Sequence, residues 1–302
     1  MFVTTKYLAW MAGQHLGACR LLPAFLLLCA CITDAWSQTA PPNLNDVPSD
    51  LVVPQLSDGP PSPGKRVQQF LPGYEGSQIY HVLYLPPEWQ AGKAYPVIVE
   101  YPGNGGFKNN YGDISTGRVE DCKLGYGLSG GHGFIWICLP FVDPLHRQHA
   151  LKWWGDADAT AQYCRDAVAH ICSQWGGDVD RLVLTGFSRG AIACNYIGLR
   201  DEATAKLWRA MIVHSHYDGV RKWGYADDDP TAARQRAARF GSRPQFITHE
   251  LSVAAVTDFL KDSSIRTTIV ALPYPNHSDQ WVLKDIPLRA QARQWLSDVL
   301  SP

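Results

Sequence analysis

The chain has 302 residues, 46% of them hydrophobic and 18% charged, with a net charge of -1. That length and apolar content allow one large domain or two small ones around a sizeable core. The near-zero charge excludes a basic field able to hold a polyanion, so nucleic acid is not an expected partner.

Residues 1–37 read as a signal peptide. Lys6 and Arg20 flank an otherwise uncharged start, and the apolar run Leu21 to Ile32 is too short to span a bilayer. Ala35-Trp36-Ser37 places small residues where a signal peptidase reads, so cleavage is expected after Ser37. An uncleaved anchor is the alternative, and Leu28-Cys29-Ala30-Cys31 also looks like a lipobox that would leave a lipid-anchored Cys31. The expected location is secreted or periplasmic, with no membrane span left after signal removal. Three of the eight cysteines lie in this leader. The other five are Cys122, Cys138, Cys164, Cys172 and Cys194, and an odd number leaves at least one free thiol. Cys138 and Cys194 read as buried structural thiols, and one disulfide of open pairing is allowed.

Residues 38–65, rich in Pro, Ser, Asp and Asn, read as a linker or wrapping arm. The folded body is expected over 66–302. Within it, Ile79 to Leu85 alternates as a strand, and Pro96 to Tyr101 is a β-branched strand running into Pro102-Gly103-Asn104-Gly105-Gly106. Phe134 to Phe141 is a further apolar strand. Ala157 to Gln174 has helical spacing and stops at Gly176-Gly177. Arg181 to Thr185 is a buried strand, followed by a helix over Ala191 to Leu199. Strands follow at Ala210 to His214, Gln245 to Thr248 and Thr267 to Leu272, with a helix over Val253 to Lys261 between the last two. Asp227-Asp228-Asp229-Pro230 reads as a solvated loop, and Leu288 to Leu300 closes the chain as an amphipathic helix. Apolar strands separated by helices predict an α/β fold with a mostly parallel central sheet covered on both faces.

The sharpest local motif is Gly186-Phe187-Ser188-Arg189-Gly190, set between a buried strand and an apolar helix. A serine on such a turn adopts strained dihedrals and needs glycines on either side so that neighbouring Cβ atoms do not collide. The turn lifts the hydroxyl above the sheet edge and brings it to a helix N-terminus, which favours developing negative charge.

With this motif, Tyr101-Pro102-Gly103-Asn104-Gly105-Gly106, and Asn276-His277-Ser278-Asp279-Gln280-Trp281 in the same order, the region from Val67 to Leu300 resembles an α/β-hydrolase. In flavour it is similar to the secreted serine esterases related to polyhydroxybutyrate depolymerases and feruloyl esterases. The resemblance implies Ser188 as nucleophile and His277, in the loop after the last strand, as general base, a task suited to a neutral imidazole. It implies an acid at a strand exit, where Glu250 and Asp218 are rival candidates. It also implies an oxyanion hole from the backbone N–H groups of Arg189 and Asn104. Pro102 stands where many relatives carry His.

The expected activity is hydrolysis of carboxylic esters, of small molecules or a polymer, through an acyl-enzyme. A peptidase or acyltransferase on the same residues is one alternative, and a non-catalytic binding relative is another. A third comes from His214, His216 and Asp218, which on an extended strand would share one face and suit a metal-dependent hydrolase. Trp153-Trp154 and Trp281 suit either a substrate cleft or core packing. No cofactor is implied, and no motif fixes an oligomeric state.

Overall fold

The architecture is that of a computed structural model, which describes residues 41–301. The expected signal peptide and the Cys31 lipobox lie outside those residues. The strands of the main sheet are β1 (Arg66–Gln69), β2 (His81–Tyr84), β3 (Tyr95–Tyr101), β4 (Ile135–Cys138), β5 (Gly177–Phe187), β6 (Ala210–His214), β7 (Pro244–Glu250) and β8 (Arg266–Leu272). Their spatial order is β1-β2-β4-β3-β5-β6-β7-β8. Only β2 runs against its neighbours; every pairing from β4 to β8 is parallel. This is the mostly parallel sheet that the apolar runs predict.

Alternation along the strands separates two apolar clusters, one on each face. Val97, Val99, Leu182, Leu184, Met211 and Val213 belong to one, while Ile98, Val183, Ala210 and Ile212 belong to the other. Helices cover both: α1 (Leu124–Ser129), α2 (Ala157–Trp175), α3 (Arg189–Tyr196), α4 (Glu202–Ala205), α5 (Pro230–Ala238), α6 (Ala254–Leu260) and α7 (Pro287–Leu300). The punctuation of α2 shows how the sequence sets these bounds. Asp156 caps its start by accepting from Ala159 N, and Gly176 ends it at φ 74°. Among the described residues no helix is long and apolar enough to cross a membrane.

Four of these strands and helices, β1, α1, α4 and α5, have no counterpart among the expected ones. β1 is a short edge strand without a distinctive pattern. In α1 the two internal glycines disguise a helix, and they are there for close packing. A Cβ on Gly125 would lie 2.2 Å from the Trp136 ring, and one on Gly127 would lie 2.3 Å from Val282. Asp227 to Asp229 form the expected loop, but Pro230 already opens α5. Asp229 caps it by accepting from Thr231 N and Ala232 N, and Pro230 occupies the first turn.

The segment from Asn43 to Asp50 lies along the body. Leu44 is fully buried, and its N–H donates to Asn276 Oδ1 at 2.7 Å. Asp50 pairs with Arg289 of α7. The five cysteines of the body are all free thiols, with Cys138 and Cys194 fully buried.

Parallel pairing aligns the C-terminal ends of the central strands. Gly186 sits opposite both Tyr101 and Val213, His214 opposite Thr248, and Glu250 opposite Leu272. Everything that leaves the sheet at these points emerges along one edge.

Candidate active site

Ser188 follows β5 directly and caps α3, with φ 56° and ψ -121°. Its N–H donates to His214 O at 3.0 Å, which locks the turn to the neighbouring strand. The flanking glycines are sterically required. A Cβ on Gly186 would lie 2.3 Å from Gly190 O, and one on Gly190 would lie 2.3 Å from Tyr101 O. Either contact would open the turn.

His277 reaches this turn from the loop after β8. Its Nε2 lies 2.8 Å from Ser188 Oγ, and its Nδ1 lies 2.8 Å from Oε1 of Glu250, the last residue of β7. Burial alone would raise the carboxyl pKa of Glu250. The hydrogen bond from His277, the nearby His214 and a hydrogen bond from Ser215 outweigh it and hold the pKa well below the usual carboxylate range. An ionised Glu250 can only accept, so the proton of the neutral ring sits on Nδ1. Nε2 is then free to accept from the Ser188 hydroxyl. Aromatic rings surround the imidazole: Phe107 edge-on at 4.7 Å, Phe187 at 4.8 Å and His216 at 5.0 Å between centroids.

The loop carrying His277 is tied down on both sides. On one side, the fully buried Asn276 donates through Nδ2 to Asn43 Oδ1 and Asp113 Oδ1, while its own Oδ1 accepts from Leu44 N. On the other, His214 Nε2 donates to Ser278 O at 3.0 Å, and His214 Nδ1 lies 2.7 Å from the Thr248 hydroxyl. Burial pushes the His214 pKa down to about 4, so the ring is neutral and each nitrogen has one partner.

Asn104 and Arg189 meet beside the serine turn. The Asn104 side chain clasps the backbone of Trp153, donating to its O at 2.6 Å and accepting from its N at 3.2 Å. The Arg189 guanidinium lies 3.9 Å over the Trp153 ring and 3.4 Å from Asn104 Oδ1. Among the described residues the backbone N–H groups of Asn104 and Arg189 have no backbone partner. For Arg189 this follows from its place as the first residue of α3. Of the tryptophans, Trp153 stands at the site, whereas Trp154 and Trp281 are buried in the core.

Asp218 is not brought to His277. Its carboxylate accepts from Arg236 Nε at 2.8 Å and Nη2 at 3.1 Å, and from the Tyr225 hydroxyl at 2.6 Å. His214, His216 and Asp218 therefore do not converge as a metal site. The strand ends at His214, and Ser215 turns into the left-handed region at φ 84°, so the alternation that would align them is broken. His216 Nδ1 donates to Ser215 O, and burial pushes its pKa down to about 3. The His, Cys, Asp and Glu side chains whose ligand atoms do cluster, among the described residues, are Glu100, Cys122 and Cys138. There the Glu100 oxygens already accept four hydrogen bonds, from Lys123 N, Leu124 N, Gly125 N and Trp136 Nε1.

Ser215, absent from the expected site residues, lies inside the site. Its Oγ is 2.7 Å from His277 Nδ1 and 2.7 and 3.0 Å from the two Glu250 oxygens. Beside it opens a cavity of about 310 Å³ lined by His216, Trp223, Ile247, His249 and Val256.

No family model matches the sequence, and no curated protein matches it either. Solved structures do match in shape. The S-formylglutathione hydrolase of Agrobacterium tumefaciens aligns with 78% of this chain and 95% of its own, at a TM-score of 0.56 and 13% identity. An esterase of Rhizomucor miehei aligns over 79% and 84%, with TM-score 0.53 and 12% identity. Dipeptidyl peptidase 4 of Porphyromonas gingivalis aligns over 73% of this chain but 33% of its own, with TM-score 0.51 and 14% identity. At these identities the likeness is one of fold.

Proposed function

We propose, starting from the α/β-hydrolase fold of this chain, that it is a serine hydrolase cleaving carboxylic esters through an acyl-enzyme on Ser188. The observation that carries this reading is the continuous line from Ser188 Oγ through the His277 ring to Glu250, with 2.8 Å at each step. The esterases among the structural neighbours share the fold on which the line is built.

In this reading the Ser188 hydroxyl gives its proton to His277 Nε2 as Oγ attacks the ester carbonyl carbon. The ring becomes a cation, and its Nδ1–H, directed at ionised Glu250, is the contact that gains most in the transition state. The carbonyl oxygen takes up the negative charge beside the free N–H groups of Asn104 and Arg189, at the N-terminus of α3. Collapse breaks the bond to the alcohol oxygen, which receives the proton from Nε2. Water repeats the sequence on the acyl group and restores Ser188. One of the ester's two groups occupies the cavity beside His216 and Trp223. The organisation proposed with it is an export signal over 1–37, an arm over 38–65 and a catalytic domain over 66–302. The first residue of the mature protein, read by N-terminal sequencing, checks the cleavage.

The central test is labelling with a fluorophosphonate probe alongside p-nitrophenyl acetate turnover. Wild type should label and turn over, and Ser188→Ala should lose labelling, with kcat down on the order of 10⁴–10⁶-fold. A wild type that stays unlabelled and inactive would remove the basis for the assignment.

A further inference from the structure

Ser215 occupies a position where its residue type is unexpected. It is fully buried and has φ 84°, a conformation that favours glycine, asparagine or aspartate over serine. Backbone contacts hold it there from both sides. Its N–H donates to Thr248 O at 2.8 Å, continuing the β6–β7 ladder by one residue, and its carbonyl accepts from His216 Nδ1 at 3.0 Å. On this backbone the hydroxyl faces the Glu250–His277 contact.

The proton count gives the arrangement a direction. Glu250 is ionised and can only accept, and the Ser215 hydroxyl has one proton, so that proton goes to the carboxylate. The lone pairs of Oγ then face the Nδ1–H of His277, which lies 2.7 Å from Oγ and 2.8 Å from Glu250 Oε1. The ring N–H is shared between two acceptors, and the carboxylate is held by two donors. Three further histidines face the pair: His249, whose more exposed ring has Nδ1 3.2 Å from Oε2, His214, close enough to lower the carboxyl pKa, and His216, 5.0 Å from the His277 ring between centroids.

We propose that Ser215 is a positioning residue for the Glu250–His277 pair, fixing the carboxylate's orientation and sharing its charge. This rests on the triad reading above. Without the hydroxyl, Glu250 keeps its burial but loses the donor that fixes its rotation about the final side-chain bond. His277 then samples orientations in which Nε2 misses the Ser188 hydroxyl. The unshared carboxylate also stabilises the protonated ring more strongly.

The decisive variant is Ser215→Gly, because glycine adopts this backbone conformation without strain and removes only the hydroxymethyl group. Ser215→Ala is the companion, and a melting curve reports whether each is folded. We expect Ser215→Gly to melt no lower than wild type while kcat falls about tenfold with KM little changed. The acid limb of its kcat/KM profile should move to higher pH, which a merely structural serine would not cause. Folded Ser215→Gly with kcat within about twofold of wild type and a superimposable pH profile would overturn the proposal. Failure of the underlying triad reading is a separate result, seen as unlabelled wild type or as labelling that survives Ser188→Ala.

Discussion

Two buried carboxylates stand at neighbouring strand exits, and they are solved by opposite chemistry. Asp218 is met by a permanent cation, the Arg236 guanidinium, and by the Tyr225 hydroxyl. Among the described residues Glu250 has no arginine or lysine paired with it, and is met by the imidazole of His277, the hydroxyl of Ser215 and the neighbouring histidines. A carboxylate already neutralised has nothing left to offer a charge that appears for an instant. One facing a neutral ring is incomplete until that ring is protonated, and this is the condition a general base creates. Both are carboxylates largely withdrawn from solvent, with 1% of the Asp218 and 9% of the Glu250 side chain exposed, so the cation makes the difference.

The largest effect expected from this contrast is on turnover. Glu250→Gln should lower kcat on the order of 10³–10⁴-fold while leaving the melting temperature close to wild type. A variant retaining full turnover would mean that another group stabilises the ring. The reverse pattern is expected of Asp218→Asn, which leaves the Arg236 charge buried without a counterion. Urea unfolding should show a loss of about 3–5 kcal/mol, with activity per folded molecule little changed. Adding Arg236→Met to Asp218→Asn should restore much of that loss, and a double variant no better than the single would argue against the ion pair as the cause.

The smallest effect concerns acid. Glu250 is held ionised far below neutrality, so lability in mild acid is assigned to histidines buried in the neutral form. His81 is the clearest, fully buried beside the Tyr163 hydroxyl and pushed down to about 3 by burial. A folded pKa below the unfolded one means that its stabilising contribution is present above pH 6.5 and is lost as pH falls toward 3. Between pH 6 and 4 the unfolded chain binds one more proton at this site, a slope of about 1.4 kcal/mol per pH unit. His81→Leu should flatten the pH dependence of stability by about that amount, whatever it does to stability at pH 8. Parallel curves for the two proteins would assign the lability elsewhere.

Much of this was legible in the sequence, and what was not has identifiable causes. The parallel strands declare themselves as β-branched apolar runs, and the glycines around Ser188 are dictated by backbone distances of 2.3 Å that any side chain would violate. Which of Glu250 and Asp218 lies against His277 was not legible, because Asp218 is taken up by Arg236, a residue of α5. That helix begins directly after a run of aspartates that reads as solvated loop, although Asp229-Pro230 carries a cap and first-turn signature. The apparent metal triplet failed at Ser215 for a related reason. Serine gives no local warning of a left-handed backbone, so the alternation from His214 to Asp218 looked unbroken. The histidine loop's tie to Asn43 is a contact across 233 residues, beyond any local pattern.

That last contact bears on the order in which the protein comes into being. A growing chain exposes the Ser188 turn first, Glu250 later and His277 last of the three. The loop bearing His277 then docks against Asn43 and Leu44, among the earliest residues of the body to be synthesised. A ribosome-bound fragment that stops short of that loop carries a strained serine with no base beside it. In the reading proposed here, hydrolytic competence is therefore acquired only when the His277 loop reaches Asn43, a contact across 233 residues.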